Sequence, residues 1–164
     1  MNFDFYMPVR VVSGRTALAD SAAQLKKLGD SCMVVTGKRS AKASGALDDL
    51  TEVLRREKIS CTVYDGITEN PLLSSCEEAA ALAAEKKAAF VVGIGGGSPL
   101  DAVKSAAVFA ANDFSDQMEI YRQPYPRKPL PFSVARRARS AASGRSAPRG
   151  SLHPPAARSA LPLC

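Results

Sequence analysis

The sequence predicts an α/β protein, with a parallel sheet covered by helices on both faces and a disordered basic tail after it. Short runs rich in β-branched residues alternate with longer segments of helical periodicity, which is typical of parallel strands joined by helices. The run from Phe90 to Ile94 is apolar and bounded by glycines, which indicates a buried strand. With 164 residues, 46% of them hydrophobic, the chain is long enough for one domain with a core.

The elements alternate along the first 121 residues. Strands or extended segments are predicted at 3–12, 31–36, 59–64 and 90–94. Helices are predicted at 16–28, 44–58, 74–87 and 98–111, with a short turn within 114–121. Gly29 should end the first helix, and Asp65-Gly66 is expected to form a turn. Ser74 or Ser75, each followed three residues later by a glutamate, should cap the third helix.

Three glycines, Gly95, Gly96 and Gly97, join the buried strand to the last helix. Ser98 is expected to be the N-cap of that helix, with Pro99 at its first position and Asp101 in its first turn. Free N–H groups at such a helix start, reached past glycines without side chains, favour a bound phosphate. The spacing departs from G-x-G-x-x-G because Ser98 replaces the third glycine, so a tight turn that binds nothing remains an alternative.

Three loops follow the carboxyl ends of predicted strands, where ligands bind in doubly wound, Rossmann-like sheets. They are 36–37, 65–71 and 95–98. Gly37 stands where an acid would bind the adenosine ribose of NAD, and Lys38 and Arg39 follow it. The missing acid favours NADP over NAD, whereas a simple turn glycine beside solvated charges is the alternative.

The segment Gly-Gly-Gly-Ser-Pro-Leu-Asp-Ala-Val-Lys at 95–104 resembles the GGGSxxDxxK signature of the iron-containing alcohol dehydrogenases, with Val103 where alanine is usual. The resemblance implies an oxidoreductase that moves hydride between a small alcohol or aldehyde and NAD or NADP. It also implies iron or zinc, held by one aspartate and three histidines in a separate helical domain, and often a homodimer. Asn70-Pro71 resembles a family loop that lies against the cofactor, with an ordinary turn as the alternative, since Asn-Pro is common in turns. The resemblance directs Asp101 toward the nicotinamide.

The resemblance covers about residues 3–132, where the family's next threonine- and glycine-rich motif should begin. We therefore divide the chain into a dinucleotide-binding domain at 1–121, a proline-rich connector and strand start at 122–132, and a disordered tail at 133–164. Six arginines and no acid lie in that tail, which suggests truncation or an out-of-frame ending. Catalytic residues and metal ligands are then expected to be absent, and His153, the single histidine, should be idle.

The net charge of +6 comes entirely from the arginines of the tail. The rival hypothesis is therefore a stand-alone nucleotide-binding module whose basic tail binds nucleic acid or acidic partners. Nucleic acid is the less favoured partner because no aromatic residues are interleaved with the arginines. No segment resembles a signal peptide or membrane span, and the four cysteines form no C-x-x-C pair, so we expect a cytoplasmic protein with free thiols.

Overall fold

The computed structural model describes residues 9–122 and 124–135 of the chain. Its centre is a parallel four-stranded sheet with the strand order β2-β1-β3-β4. The strands are β1 (Ser31–Gly37), β2 (Ser60–Ile67), β3 (Phe90–Ile94) and β4 (Phe132–Ala135). β1 and β3 are the inner strands, and every residue of β3 is buried, as its apolar sequence predicts.

The described residues form six α-helices and one 3₁₀-helix, of which the first two precede β1 and the others connect the strands. They are α1 (Ala17–Asp20), α2 (Ala22–Leu28), α3 (Ser40–Ala43), α4 (Ala46–Arg56), α5 (Leu73–Glu85), α6 (Gly97–Ala111) and the 3₁₀-helix Gln117–Tyr121. None of these helices has the length and apolar character needed to cross a membrane.

The helices cover both faces of the sheet, which confirms the predicted α/β architecture. On one face, Leu47, Leu50 and Leu54 of α4 pack with Cys32 and Val34 of β1. On the other face, the alanine-rich helices α5 and α6 pack against Met33, Val35 and Val91. The alternation of β1 residues between the two clusters follows from the two-residue period of a strand.

Helix α6 lies very close to β3, and Gly93 permits this approach. A Cβ atom at Gly93 would lie 2.7 Å from Cγ1 of Val103 and 3.0 Å from the carbonyl oxygen of Pro99. Any larger residue would force the helix away from the strand. The glycine in the middle of this strand therefore has a packing role that fixes the helix that follows it.

Several predicted boundaries need correction. The helix expected at 16–28 is interrupted at Ser21, and the segment expected as one helix at 44–58 is α4, preceded by the separate helix α3. Asp65-Gly66 does not form a turn. The pairings Val35 with Tyr64 and Gly37 with Ile67 show that β2 carries one extra residue there, which is a β-bulge within the strand.

The predicted serine caps are also wrong for α5. The helix begins at Leu73, its N-cap is Leu72 in an extended conformation, and no side chain caps it. Ser74 and Ser75 therefore lie inside the first turn. The end of the helix agrees better with the sequence, since the C-cap is Lys86, next to the predicted last residue Lys87.

Three residues that we assigned to the tail are part of the sheet. Residues 133–135 belong to β4, which pairs with β3 from Val91 opposite Phe132 to Ile94 opposite Ala135. The buried side chain of Asn112 holds the connector through two hydrogen bonds to the backbone of Arg127. Nδ2 of Asn112 donates to the Arg127 carbonyl, and the Arg127 N–H donates to Oδ1 of Asn112 at 2.7 Å. The predictions for residues 3–8, for the tail at 136–164 and for His153 lie outside the described residues.

Candidate functional site

The glycine turn after β3 makes the backbone accessible at the carboxyl edge of the sheet. Gly95 has a φ of 140°, a conformation that strongly favours glycine. Gly96 and Gly97 are exposed, and a Cβ atom added at either would meet nothing within 4 Å. Open space thus lies directly over the first turn of α6.

The start of α6 differs from the predicted one. Gly96 is the N-cap in an extended conformation, and Gly97 is the first helical residue. Ser98 is half-buried in the first turn and makes no capping bond, while Pro99 is the third helical residue and Asp101 lies beyond the first turn. Gly95 alone has a positive φ at the bend, so Gly96 becomes the N-cap and Gly97 begins the helix.

The first N–H groups of a helix have no partner within it. At α6 these donors come from Gly97 and Ser98, because Pro99 has no N–H and the N–H of Leu100 donates to the carbonyl of the N-cap Gly96. They carry the positive end of the helix dipole into the open space over Gly96 and Gly97. This arrangement can bind an anion through backbone donors alone.

The end of β1 lies beside this turn. Thr36 is fully buried, and its hydroxyl donates to the carbonyl oxygen of Ile94 at 2.9 Å, which ties β1 to the last residue before the glycines. Gly37 follows and is half-buried, and the exposed Lys38 comes directly after it. A Cβ atom at Gly37 would lie 3.1 Å from the carbonyl oxygen of Ile67, so space at this position is tight.

An ion pair joins helix α3, which follows β1, to the bulge in β2. Nζ of Lys42 on α3 lies 2.8 Å from Oδ2 of Asp65 in the β2 bulge. The hydrogen bond and charge of Lys42, with a further contribution from the charge of Lys38, lower the pKa of Asp65. The carboxylate of Asp65 therefore stays ionised and forms an ion pair with Lys42.

The loop after β2 contains the predicted Asn70-Pro71 turn. Asn70 is exposed and has a φ of 52°, in the left-handed region that asparagine tolerates better than most residues. The loop leaves β2 after Ile67, which is paired with Gly37. Asn70 therefore belongs to the same edge of the sheet as the glycine turn.

Asp101 lies one turn further along α6, on its exposed side. Its Oδ1 is 3.1 Å from Nζ of Lys104, and its side chain is 73% exposed. The two residues form an ordinary exposed pair at a spacing of three residues, which contributes little to stability. In the described residues, the Asp101 carboxylate contacts Lys104 and is otherwise exposed to solvent.

The structure thus places Gly37, Lys38, Asn70 and Gly95–Ser98 on loops that leave adjacent strands at one edge of the sheet. Two further residues of this edge were missed by sequence reasoning: Ser40, whose Oγ is 3.6 Å from the Cβ position of Gly95, and Lys42. Asp65 lies at the start of the predicted loop 65–71, but its contact with Lys42, 23 positions away, has no sequence signal.

A metal centre does not fit the part of the chain that the structure describes. Within residues 9–122 and 124–135, no three histidine, cysteine, aspartate or glutamate side chains gather as metal ligands. Iron and zinc sites in proteins need such a set of donors. The described residues therefore do not supply the ligand set of an iron or zinc site.

The parallel sheet, the helices on both faces and the glycine turn at its carboxyl edge define a Rossmann-like α/β domain. The family model for iron-containing alcohol dehydrogenase matches residues 8–135. An iron-containing alcohol dehydrogenase from Thermotoga maritima superposes with a TM-score of 0.77 at 33% identity, covering 82% of this chain and 38% of that one.

Curated relatives agree with the structural match. Long-chain primary alcohol dehydrogenase AdhA from Thermoanaerobacter ethanolicus is 38% identical over 117 residues, which are 70% of this chain and 29% of the relative. NADP-dependent alcohol dehydrogenase 3 from Entamoeba histolytica is 34% identical over 71% of this chain and 29% of its own length. The chain belongs to the iron-containing alcohol dehydrogenase family, and it spans about a third of the length of the relatives that it matches.

Proposed function

We propose that this chain binds a nicotinamide dinucleotide at the carboxyl edge of the sheet, as the NAD(P)-binding part of an alcohol dehydrogenase. The observation that carries the proposal is the exposed, unobstructed backbone of Gly96 and Gly97 over the N-terminus of α6. A pyrophosphate in that space accepts hydrogen bonds from the first N–H groups of the helix. The half-buried Ser98 hydroxyl supplies a further donor.

The adenosine ribose would lie over the end of β1, beside Gly37 and Lys38. In doubly wound folds the ribose lies at the end of the strand next to the one that carries the pyrophosphate turn. Here β3 carries that turn, and β1 is its direct neighbour. Asn70 lies at the same edge, in the loop after β2, and the family resemblance assigns a cofactor contact to it. Asp101 would approach the nicotinamide end, away from the negative charges of the pyrophosphate.

NADP is the cofactor that this edge favours. Lys38, Arg39 and Lys42 follow the end of β1, and Asp65 of the β2 bulge is paired with Lys42. Gly37 offers no carboxylate to repel a 2′-phosphate. The relatives do not decide the matter, since the Entamoeba protein is named for NADP and a butanol dehydrogenase of Clostridium acetobutylicum is named for NADH.

The reaction of the complete family enzyme is hydride transfer between an alcohol carbon and the nicotinamide, for which iron supplies Lewis-acid polarisation of the substrate oxygen when bound. We propose that the present chain contributes cofactor binding and does not oxidise alcohols by itself. The support is that the described residues offer no cluster of metal ligands. Metal-dependent reduction of NADP by the purified chain with a primary alcohol would contradict this.

The test of cofactor binding is a calorimetric titration of the full chain with NADPH and, separately, with NADH. We expect saturable binding of one dinucleotide per chain, tighter for NADPH. Circular dichroism on the same sample establishes that the domain is folded. A folded sample that binds neither dinucleotide would overturn the proposal, and tighter binding of NADH would overturn the preference for NADP.

A further inference from the structure

Cys32 on β1 and Cys61 on β2 are direct partners in the parallel sheet. Neighbouring strands lie about 4.8 Å apart, a separation within the range of roughly 4.4–6.8 Å between the Cα atoms of disulfides. The two side chains share one face, because Cys61 packs against the core cluster that contains Cys32. The register of the sheet therefore brings two thiols together.

Both thiols are free, and the register of the sheet sets the two residues directly opposite each other. Cys32 is only 2% exposed, whereas Cys61, on the edge strand, is half-buried. The contact with Cys61, together with burial, raises the pKa of Cys32 above its ordinary value. The hydrogen bond from Cys32 has the opposite effect and lowers the pKa of Cys61. Cys61 is thus both the more accessible thiol and the one that ionises first.

We propose that Cys32 and Cys61 form a redox-active dithiol, which closes to an intramolecular disulfide when the protein meets a hydroperoxide. The Cys61 thiolate attacks one peroxide oxygen, the O–O bond breaks, and Cys61 becomes a sulfenic acid as hydroxide leaves. The sulfur of Cys32 then attacks the sulfur of Cys61. The S–S bond forms while the S–O bond breaks, and the departing hydroxide takes up the proton of Cys32. Two thiols are oxidised, and hydrogen peroxide is reduced to water.

The position of the pair predicts what the disulfide does. Both cysteines lie near the amino ends of their strands, at the edge of the sheet opposite to the glycine turn. Closure leaves the candidate cofactor edge untouched. It ties β1 to β2 and encloses α3 and α4 in a covalent loop, which restricts the unfolded chain more than the folded one. The inference does not depend on the proposed function.

The test is peroxide treatment of the full, folded chain, followed by alkylation of the remaining thiols and peptide mapping without reduction. Hydrogen peroxide is the oxidant. We expect a linked peptide pair that joins Cys32 to Cys61, with Cys76 still alkylated on unfolding. Cys76 is the internal control because it is buried in the other core cluster, where burial raises its pKa to about 11. Recovery of Cys32 and Cys61 as free thiols, or with Cys61 oxidised to the sulfinic acid, would overturn the proposal.

Single variants separate this pair from other linkages. Cys32→Ser and Cys61→Ser should each abolish the internal disulfide, whereas Cys76→Ser and Cys164→Ser should retain it. Oxidation should raise Tm only in the wild-type protein and the latter two variants. A disulfide that requires Cys76 or Cys164, or a Tm that falls on oxidation of the wild-type protein, would contradict the inference.

Discussion

Gly93 on β3 lies directly under Val103 on α6, so close that a Cβ atom at Gly93 would be 2.7 Å from Cγ1 of Val103. This contact sets the distance between the buried strand and the helix whose first turn forms the candidate anion site. The glycine turn is therefore positioned by packing in the core as well as by its own backbone freedom.

Replacing Gly93 by alanine is expected to lower the free energy of unfolding by about 1–3 kcal/mol, because the added methyl group overpacks the contact with Val103. Chemical denaturation followed by circular dichroism measures the change. In a chain that already carries Val103→Ala, the substitution Gly93→Ala should lower the free energy of unfolding by less than it does in the wild-type chain. Gly96→Ala is the matched control, since a Cβ atom there meets nothing within 4 Å. Equal stability losses in Gly93→Ala and Gly96→Ala would contradict this packing role.

Gly96→Ala and Gly97→Ala should leave the fold intact and weaken NADPH binding by about tenfold or more, which corresponds to roughly 1.4 kcal/mol. The methyl group occupies the space that the pyrophosphate needs above the helix N–H groups. Calorimetric titration measures the affinity. Glu85→Ala, at the exposed end of α5 on the opposite edge of the sheet, is the control. Unchanged affinity in both glycine variants would remove the phosphate site from this turn.

Lys38→Ala should weaken NADPH binding by about tenfold while leaving NADH binding nearly unchanged, since a charged hydrogen bond contributes about 1.5–3 kcal/mol. Asp65→Asn should act in the opposite direction, because it frees Lys42 from its ion pair and removes a negative charge. Titrations of both dinucleotides at low and high salt give the ratio of affinities, and salt should reduce both effects. Lys86→Ala provides a control on an exposed lysine at the opposite edge. Parallel losses of NADPH and NADH affinity in Lys38→Ala would argue against a contact with the 2′-phosphate.

Asn112→Ala should destabilise the connector and β4, because Asn112 is buried and its amide pairs with the N–H and carbonyl of Arg127. The N–H of Arg127 loses its partner, and we expect a loss of about 1–3 kcal/mol. Limited proteolysis should cut sooner within 124–131. Asp113→Ala is the matched control, since its exposed ion pair with Arg127 is 3.8 Å long and contributes little. Equal cleavage rates in the two variants would show that the amide does not hold the connector.

Much of this fold follows from the sequence because β1, β3, α4 and α6 carry strong local patterns. The buried run at Phe90–Ile94 and the three leucines of α4 each identify their element without tertiary information. The predictions fail where distant contacts decide the conformation. The β2 bulge at Asp65-Gly66 depends on pairing with β1, and β4 forms because Phe132 to Ala135 pair with β3, although the residues after Phe132 carry no strand pattern of their own.

In the candidate site, too, some residues can be recognised from the sequence, whereas others depend on contacts between distant segments. The three glycines at 95–97, Gly37 and Asn70 can be recognised in the sequence because they follow strand patterns, and the structure gives a positive φ to Gly95 and Asn70. The N-cap at Ser98 was predicted from residue type, but Gly95 completes the bend and moves the helix start two residues earlier. The pair of Lys42 and Asp65 has no sequence signal, since its geometry comes from the parallel sheet and the bulge in β2.

The most direct test of dinucleotide binding at the glycine turn is hydrogen–deuterium exchange of the full chain with and without saturating NADPH. We expect slower exchange at the first turn of α6 and in the segments that contain Gly37 and Asn70, with no change at the opposite edge of the sheet. Binding of NADPH to the folded chain with protection confined to other segments, or no protection at the glycine turn, would contradict this expectation.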